Sequence, residues 1–205
     1  MRIKICGLFR EEDIDFVNEA RPDYVGFVFA QSKRQITATL AQYLRFRLAN
    51  GITPVGVFVN APINEIAALF HNGTISIAQL HGDEDESYIT QLKKKCEINQ
   101  KPEQFKVIKT IKLNNFNQIP PVTGADYHLF DSGAGSGKSF DWKTLKTKKI
   151  DKPWFLAGGI NIKNIEQAIA LNPFAIDVSS GAETKGIKDR KKILELIAAV
   201  KGNTK

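Results

Sequence analysis

Eight short apolar runs recur along the chain at regular intervals: Ile3–Cys6, Tyr24–Phe29, Val55–Val59, Ser76–Leu80, Phe105–Lys109, Tyr127–Asp131, Trp154–Ala157 and Ala175–Ser179. Most are near-continuous rather than alternating, which is how strands covered on both faces read. Helix-like stretches lie between them. Glu11–Ala20 gathers Ile14, Phe16 and Val17 on one side, and Thr37 opens a stretch with Leu40, Leu44 and Leu48 at helical spacing. Pro62 sits at a first-turn position before Ile63 and Ile66. Asp83, Asn161 and Asp189 read as the caps of three further helices. Lys112–Pro121, rich in Asn and carrying two prolines, predicts a short or irregular crossover. Strict alternation of eight strands with helices predicts an α/β fold of the (β/α)8 barrel type. A doubly wound sheet, with roughly five or six strands, is the competitor.

Length and composition narrow the class. The 205 residues, 42% hydrophobic and 25% charged, suit one sizeable core, and no Pro/Ser-rich linker divides them. Residues 1–205 therefore read as one domain. Two cysteines, Cys6 and Cys96, cannot form a disulfide framework, which points to a reducing cytoplasm. The first residues lack the apolar core of a secretory signal, and no run approaches the roughly 18 apolar residues of a membrane span. The net charge of +7 is concentrated in Lys93–Lys95, Lys143–Lys152 and Lys185–Lys192. Aromatics do not interleave with these runs, so they read as solvated helix faces, not as a nucleic-acid surface. A positive field still favours a small anionic substrate.

In a barrel, chemistry belongs at the C-terminal ends of the strands. There the chain places Cys6-Gly7, Arg34, His81-Gly82, Asp131-Ser132, Gly158-Gly159 and Ser179-Ser180-Gly181. Small residues after the seventh and eighth strands let backbone N–H groups approach an anion, and these are the loops where barrels often hold phosphate. Asp131 ends an apolar strand, a costly place for a carboxylate that has neither partner nor function. Arg34 offers a planar fork suited to a carboxylate. His81 reads as a hydrogen-bonded structural residue. No cluster of ligands has metal spacing, so no metal is expected. The run from Ser132 to Ser139 is similar to a nucleotide-binding phosphate loop, but Ser132 stands where that pattern needs glycine.

Taken in order, Lys4-Ile5-Cys6-Gly7, Gly26-Phe27-Val28-Phe29, Ser32-Lys33-Arg34, Gly56–Asn60, Gln79-Leu80-His81-Gly82, Gly137–Trp142, Leu156–Gly159 and Asp177–Gly181 resemble the phosphoribosylanthranilate isomerase family. Each segment is weak alone, and the ordered set spans nearly the whole chain. The resemblance implies a (β/α)8 barrel that needs no cofactor. It implies conversion of N-(5-phosphoribosyl)anthranilate to 1-(2-carboxyphenylamino)-1-deoxyribulose 5-phosphate in tryptophan biosynthesis. By resemblance Cys6 matches the general base, Asp131 the general acid, and Arg34 the arginine that engages the anthranilate carboxylate. Gly158, Gly159, Ser179, Ser180 and Gly181 match the phosphate site, and Asp177 matches an aspartate near the substrate. Phe9, Ala134 and Ala182 depart from the family pattern; only Ala134 bears on the loop behind the acid.

That chemistry requires an acid that carries a proton and a thiol that has lost one. The sequence therefore predicts a raised pKa at Asp131 and positive charge near Cys6, with Lys4 and Arg34 as its sources. A related sugar isomerase of histidine biosynthesis would carry aspartate where Cys6 stands. The expected partner is a small anionic phosphosugar, with neither nucleic acid nor membrane, for a monomer or homodimer.

Overall fold

Within the first strand Ile3 and Ile5 join the packing against the helices, while Lys4 and Cys6 turn inward. The same alternation around eight strands produces a wall with an apolar outside and a mixed inside. The computed structural model describes residues 1–97, 105–112, 124–133, 142, 145 and 150–202. The strands are β1 (Arg2–Cys6), β2 (Tyr24–Val28), β3 (Thr53–Phe58), β4 (Ile77–Leu80), β5 (Lys106–Lys112), β6 (Tyr127–Asp131), β7 (Trp154–Ala157) and β8 (Ala175–Val178). They pair in parallel in that order, and β8 returns to β1, with Lys4 opposite Asp177, to close the barrel. The helices are α1 (Glu11–Ala20), α2 (Ala38–Arg47), α3 (Ile63–His71), α4 (Glu86–Glu97), α5 (Ile165–Ile169) and α6 (Arg190–Gly202). A two-stranded antiparallel ribbon, β9 (Glu183–Thr184) and β10 (Ile187–Lys188), follows β8.

Two apolar shells fill the space between barrel and helices. One joins Ile3, Val25 and Ile176 to Ile14, Leu44 and Leu196; the other joins Ala78 and Val107 to Ile66, Phe70, Ile89 and Leu92. A third cluster, including Tyr24, Val55, Ile77, Ile108, Leu129 and Phe155, plugs the interior. The interior below the mouth is therefore packed, and any cavity has to open at the C-terminal end.

Local chemistry sets most helix boundaries. The Thr37 hydroxyl accepts from Leu40 N–H at 3.2 Å, and Asp189 accepts from Lys192 N–H at 3.2 Å. Two caps differ from expectation. Asp85, not Asp83, accepts from Tyr88 N–H at 2.7 Å, because Asp83 N–H is drawn to Asn60 Oδ1 at 2.8 Å. Asn161 closes a turn onto Lys163 N–H at 2.9 Å, so α5 starts later, behind Asn164. The crossover expected over 113–121, the Ala134 departure and the glycine-rich run 135–141 lie outside the described residues.

Candidate active site

A cavity of about 760 Å³ opens at the C-terminal ends of the strands. Cys6, Arg34, Asp131, Gly158, Gly159, Asp177, Ser179 and Ser180 line it, together with Gln79, His81 and Lys112. Gly181 does not. A Cβ on Gly181 would stand 1.9 Å from the Ile160 carbonyl oxygen, so this glycine lets the loops after β7 and β8 pack on each other.

Cys6 ends β1 opposite Gly26 on β2, and a Cβ at Gly26 would come within 2.5 Å of the thiol sulfur. The missing side chain at 26 is the space the thiol occupies. Beneath it Lys4 is fully buried, and its Nζ donates to Gln79 Oε1 at 2.8 Å and to Asp177 Oδ2 at 3.0 Å. Burial pushes the Lys4 ammonium pKa down, but Asp177 and Cys6 more than reverse this, so it stays charged. Asp177 Oδ1 is buried with no hydrogen-bond partner among the described residues.

The expectation of positive charge near Cys6 meets a correction in its consequence. Lys4 and Lys188 do pull the thiol pKa down, yet burial pushes it up by more, and it sits above the ordinary thiol value. Asp131 departs from expectation in the opposite sense. Burial pushes its carboxyl up, but the hydrogen bonds from His81 and from Gly133 N–H outweigh burial and hold it below the ordinary range. Gly133 N–H donates to Oδ1 at 3.0 Å, and His81 Nε2 stands 3.4 Å from Oδ2. The free protein therefore keeps the proton on the thiol and the charge on the carboxylate. His81, read from sequence as structural, is a cavity residue beside the acid candidate.

Arg34 is already engaged. Its Nε and Nη2 grip Glu183 in a fork at 2.6 and 2.8 Å, and the fully buried Lys188 Nζ adds a third bond to Glu183 at 2.6 Å. Burial pushes the Glu183 carboxyl up, and Arg34 with Lys188 pulls it well back down. Two N–H groups are thus committed to the protein, leaving the Nη1 edge for a ligand. Sequence reasoning missed Glu183, Lys188 and Gln79. The signal for the first two was the Lys185-Gly186 pair, whose residues both have positive φ (52° and 83°) and turn the β9–β10 ribbon. For Gln79 the signal was Lys4, a charge inside an apolar strand that demands a partner.

On the far rim Gly158, with φ of 96°, takes a conformation that favours glycine, and a Cβ there would meet Ser132 Oγ at 2.0 Å. Ser132 Oγ instead donates to the Gly158 carbonyl at 3.1 Å, tying the loop after β7 to the end of β6. Lys109 faces elsewhere: its Nζ donates to Gly82 O at 2.8 Å and Glu84 at 2.7 Å, bracing the loop after β4.

Fold and cavity together define an enzyme of the (β/α)8 class, with its polar groups gathered at the C-terminal mouth. The comparisons with known proteins then fix the family. Residues 3–199 match the family model for N-(5'-phosphoribosyl)anthranilate isomerase, and the chain belongs to that family. The enzyme of that name from Endomicrobium trichonymphae is 48% identical over 202 residues, covering 96% of each chain. A crystal structure of a phosphoribosyl anthranilate isomerase in complex with reduced 1-(o-carboxyphenylamino)-1-deoxyribulose 5-phosphate superposes with a TM-score of 0.80 at 33% identity, covering 98% of this chain and 99% of the other. Mutually generated monomers of the dimeric Thermotoga maritima isomerase superpose with the same score, identity and coverage.

Proposed function

We propose that the chain catalyses the Amadori rearrangement of N-(5-phosphoribosyl)anthranilate to 1-(2-carboxyphenylamino)-1-deoxyribulose 5-phosphate, a step of tryptophan biosynthesis, by general acid–base catalysis without a cofactor. One observation carries the reading: a thiol at the tip of β1 and a carboxylate at the tip of β6 line one cavity, of a size suited to a substrate of this kind. Asp131 donates a proton to the furanose ring oxygen as the C1–O bond breaks, giving a Schiff base. Cys6 takes the proton from C2, and the enolamine tautomerises to the ketone. Backbone N–H groups of the loops carrying Gly158, Gly159, Ser179 and Ser180 hold the phosphate, while Gly181 shapes their packing. The outer edge of Arg34 receives the anthranilate carboxylate. Asp177, which lines the cavity beside Cys6, lies near the ribose. Holding both ends of the substrate aligns C2 and the ring oxygen with the two groups between them.

The protonation states of the free protein are compatible with this chemistry. The resting pair (thiol and carboxylate) and the reactive pair (thiolate and carboxylic acid) carry the same number of protons. The reactive form is therefore a proton tautomer of the resting one. Bound substrate excludes water from Asp131, whose side chain is 23% exposed, and this moves its pKa toward the acid form.

The whole of 1–205 acts as one barrel domain, in the cytoplasm, as a monomer or homodimer. Among the described residues no helix is long and apolar enough to cross a membrane. The test is loss of substrate fluorescence on mixing the protein with freshly made phosphoribosylanthranilate. Enzyme-dependent decay at catalytic protein concentration is the expected result, and decay no faster than the spontaneous rate would refute the assignment.

A further inference from the structure

His81 touches three groups whose chemistry together determines where its proton lies. Lys4 sets the order of these contacts. An ammonium only donates, so the Gln79 side-chain oxygen must face it, as the 2.8 Å contact to Oε1 has it. The Gln79 amide nitrogen then points the other way, to His81 Nδ1 at 3.4 Å. An amide nitrogen only donates, so Nδ1 has to accept. Thr110 Oγ1, 3.2 Å from the same Nδ1, can rotate its hydroxyl to donate as well. With Nδ1 accepting, the proton of the neutral ring sits on Nε2, the atom 3.4 Å from Asp131 Oδ2.

We infer that Gln79 and His81 are positioning residues for Asp131: the buried Lys4 orients the Gln79 amide, the amide fixes the Nε2–H tautomer of His81, and that N–H donates to the carboxylate. The inference rests on the reading of Asp131 as the general acid for its catalytic consequence, though not for the tautomer itself. When Asp131 gives its proton to the ring oxygen, the His81 N–H stabilises the carboxylate left behind. In the free protein the 3.4 Å separation is longer than a charge-assisted hydrogen bond, as is common before substrate closes a site, and it tightens on closure. The same Lys4 lies beside Cys6, so one unbroken set of contacts links the two candidate groups across the barrel: Cys6, Lys4, Gln79, His81, Asp131.

The tautomer is read directly from the ¹⁵N–¹H long-range spectrum of the substrate-free protein labelled at histidine. Only three histidines need assigning. In the neutral ring the proton is expected on Nε2; finding it on Nδ1 overturns the proposal. Gln79→Glu keeps an oxygen for Lys4 but offers His81 an acceptor. It is expected to draw a proton onto Nδ1, and an unchanged His81 spectrum overturns the role of Gln79. In turnover, His81→Leu is expected to lower kcat about ten- to hundred-fold with KM within about twofold, the scale of one hydrogen bond to a charged group. His81→Gln, which retains an N–H near the Nε2 position, should recover most of that loss. A loss that appears in KM alone, or equal losses in the Leu and Gln variants, overturns the positioning role. Wild-type kcat in His81→Leu beside an inactive Asp131→Asn would overturn it too. Wild-type kcat in Asp131→Asn would instead refute the acid assignment and leave the tautomer result standing.

Discussion

On the β1–β8 side of the mouth, Cys6 is 7% exposed and rests on a buried ammonium that also holds Asp177 and Gln79. On the β4–β6 side, Asp131 has a side chain 23% exposed, one backbone N–H and one imidazole. The two sides shift their groups in opposite directions for different reasons. At Cys6 burial outweighs two nearby cations, so the thiol keeps its proton. At Asp131 hydrogen bonds to the charged form outweigh burial, so the carboxyl loses its proton. A cation in the neighbourhood does not by itself make a thiolate; the comparison turns on how much water each group retains.

Removing either functional group tests the comparison most strongly. Asp131→Asn and Cys6→Ala are each expected to lower kcat by about 10²–10⁴-fold, the usual range for a positioned acid or base. Both proteins should keep wild-type circular dichroism. Near-normal turnover in either one would remove that group from the mechanism.

Lys4→Met attacks the buried side directly and reaches Asp131 only through Gln79 and His81. It leaves Asp177 as an uncompensated charge, and an unfolding titration in urea should show a loss of about 3–5 kcal/mol. The same change removes a downward pull on the Cys6 pKa, so thiol titration by alkylation rate should move to still higher pH. A loss of stability below about 1 kcal/mol would mean that the Lys4–Asp177 pair is dispensable.

Gly26→Ala tests geometry without touching charge. Its Cβ would stand 2.5 Å from the thiol sulfur and push it from its place on the cavity wall. A loss of about 100-fold in kcat is expected, the scale of a misplacement of about 1 Å. If its outer edge binds the carboxylate, as proposed, Arg34→Ala should raise KM about tenfold and change kcat less. A drop confined to kcat would place Arg34 in the chemistry.

The mildest expectation concerns pH. With Asp131 held low and Cys6 pushed high, the pair carries one proton throughout the interval between them. The reactive tautomer is then a constant fraction, and kcat/KM, corrected for titration of the substrate phosphate, should be flat across neutrality. Activity falls in acid, below the ordinary carboxylate value of about 4, as Asp131 also protonates. It falls in alkali, above the ordinary thiol value of about 8.5, as Cys6 also ionises. A narrow bell centred near pH 7 would contradict both shifts.

Strand positions were legible because most runs are near-continuously apolar, and Tyr127–Asp131 and Trp154–Ala157 have the bounds that the sequence predicts. Helix starts were less legible. Asp83 and Asp85 are equally good caps in one dimension, and the choice depends on Asn60, more than twenty residues away. In the site, the thiol and carboxylate at strand tips could be picked out by position alone. Glu183 and Lys188 could not, because their partner Arg34 lies some 150 residues earlier.

The sequence by itself determined the barrel and the identity of the groups around its mouth, since periodicity and strand-end position depend only on neighbours along the chain. Tertiary structure alone decided their state. Which groups lose water, which hydrogen bond Asp131 receives, and which way Gln79 and His81 face all follow from contacts between β1, β4, β6 and β8. Closure of the barrel is what brings those strands into contact.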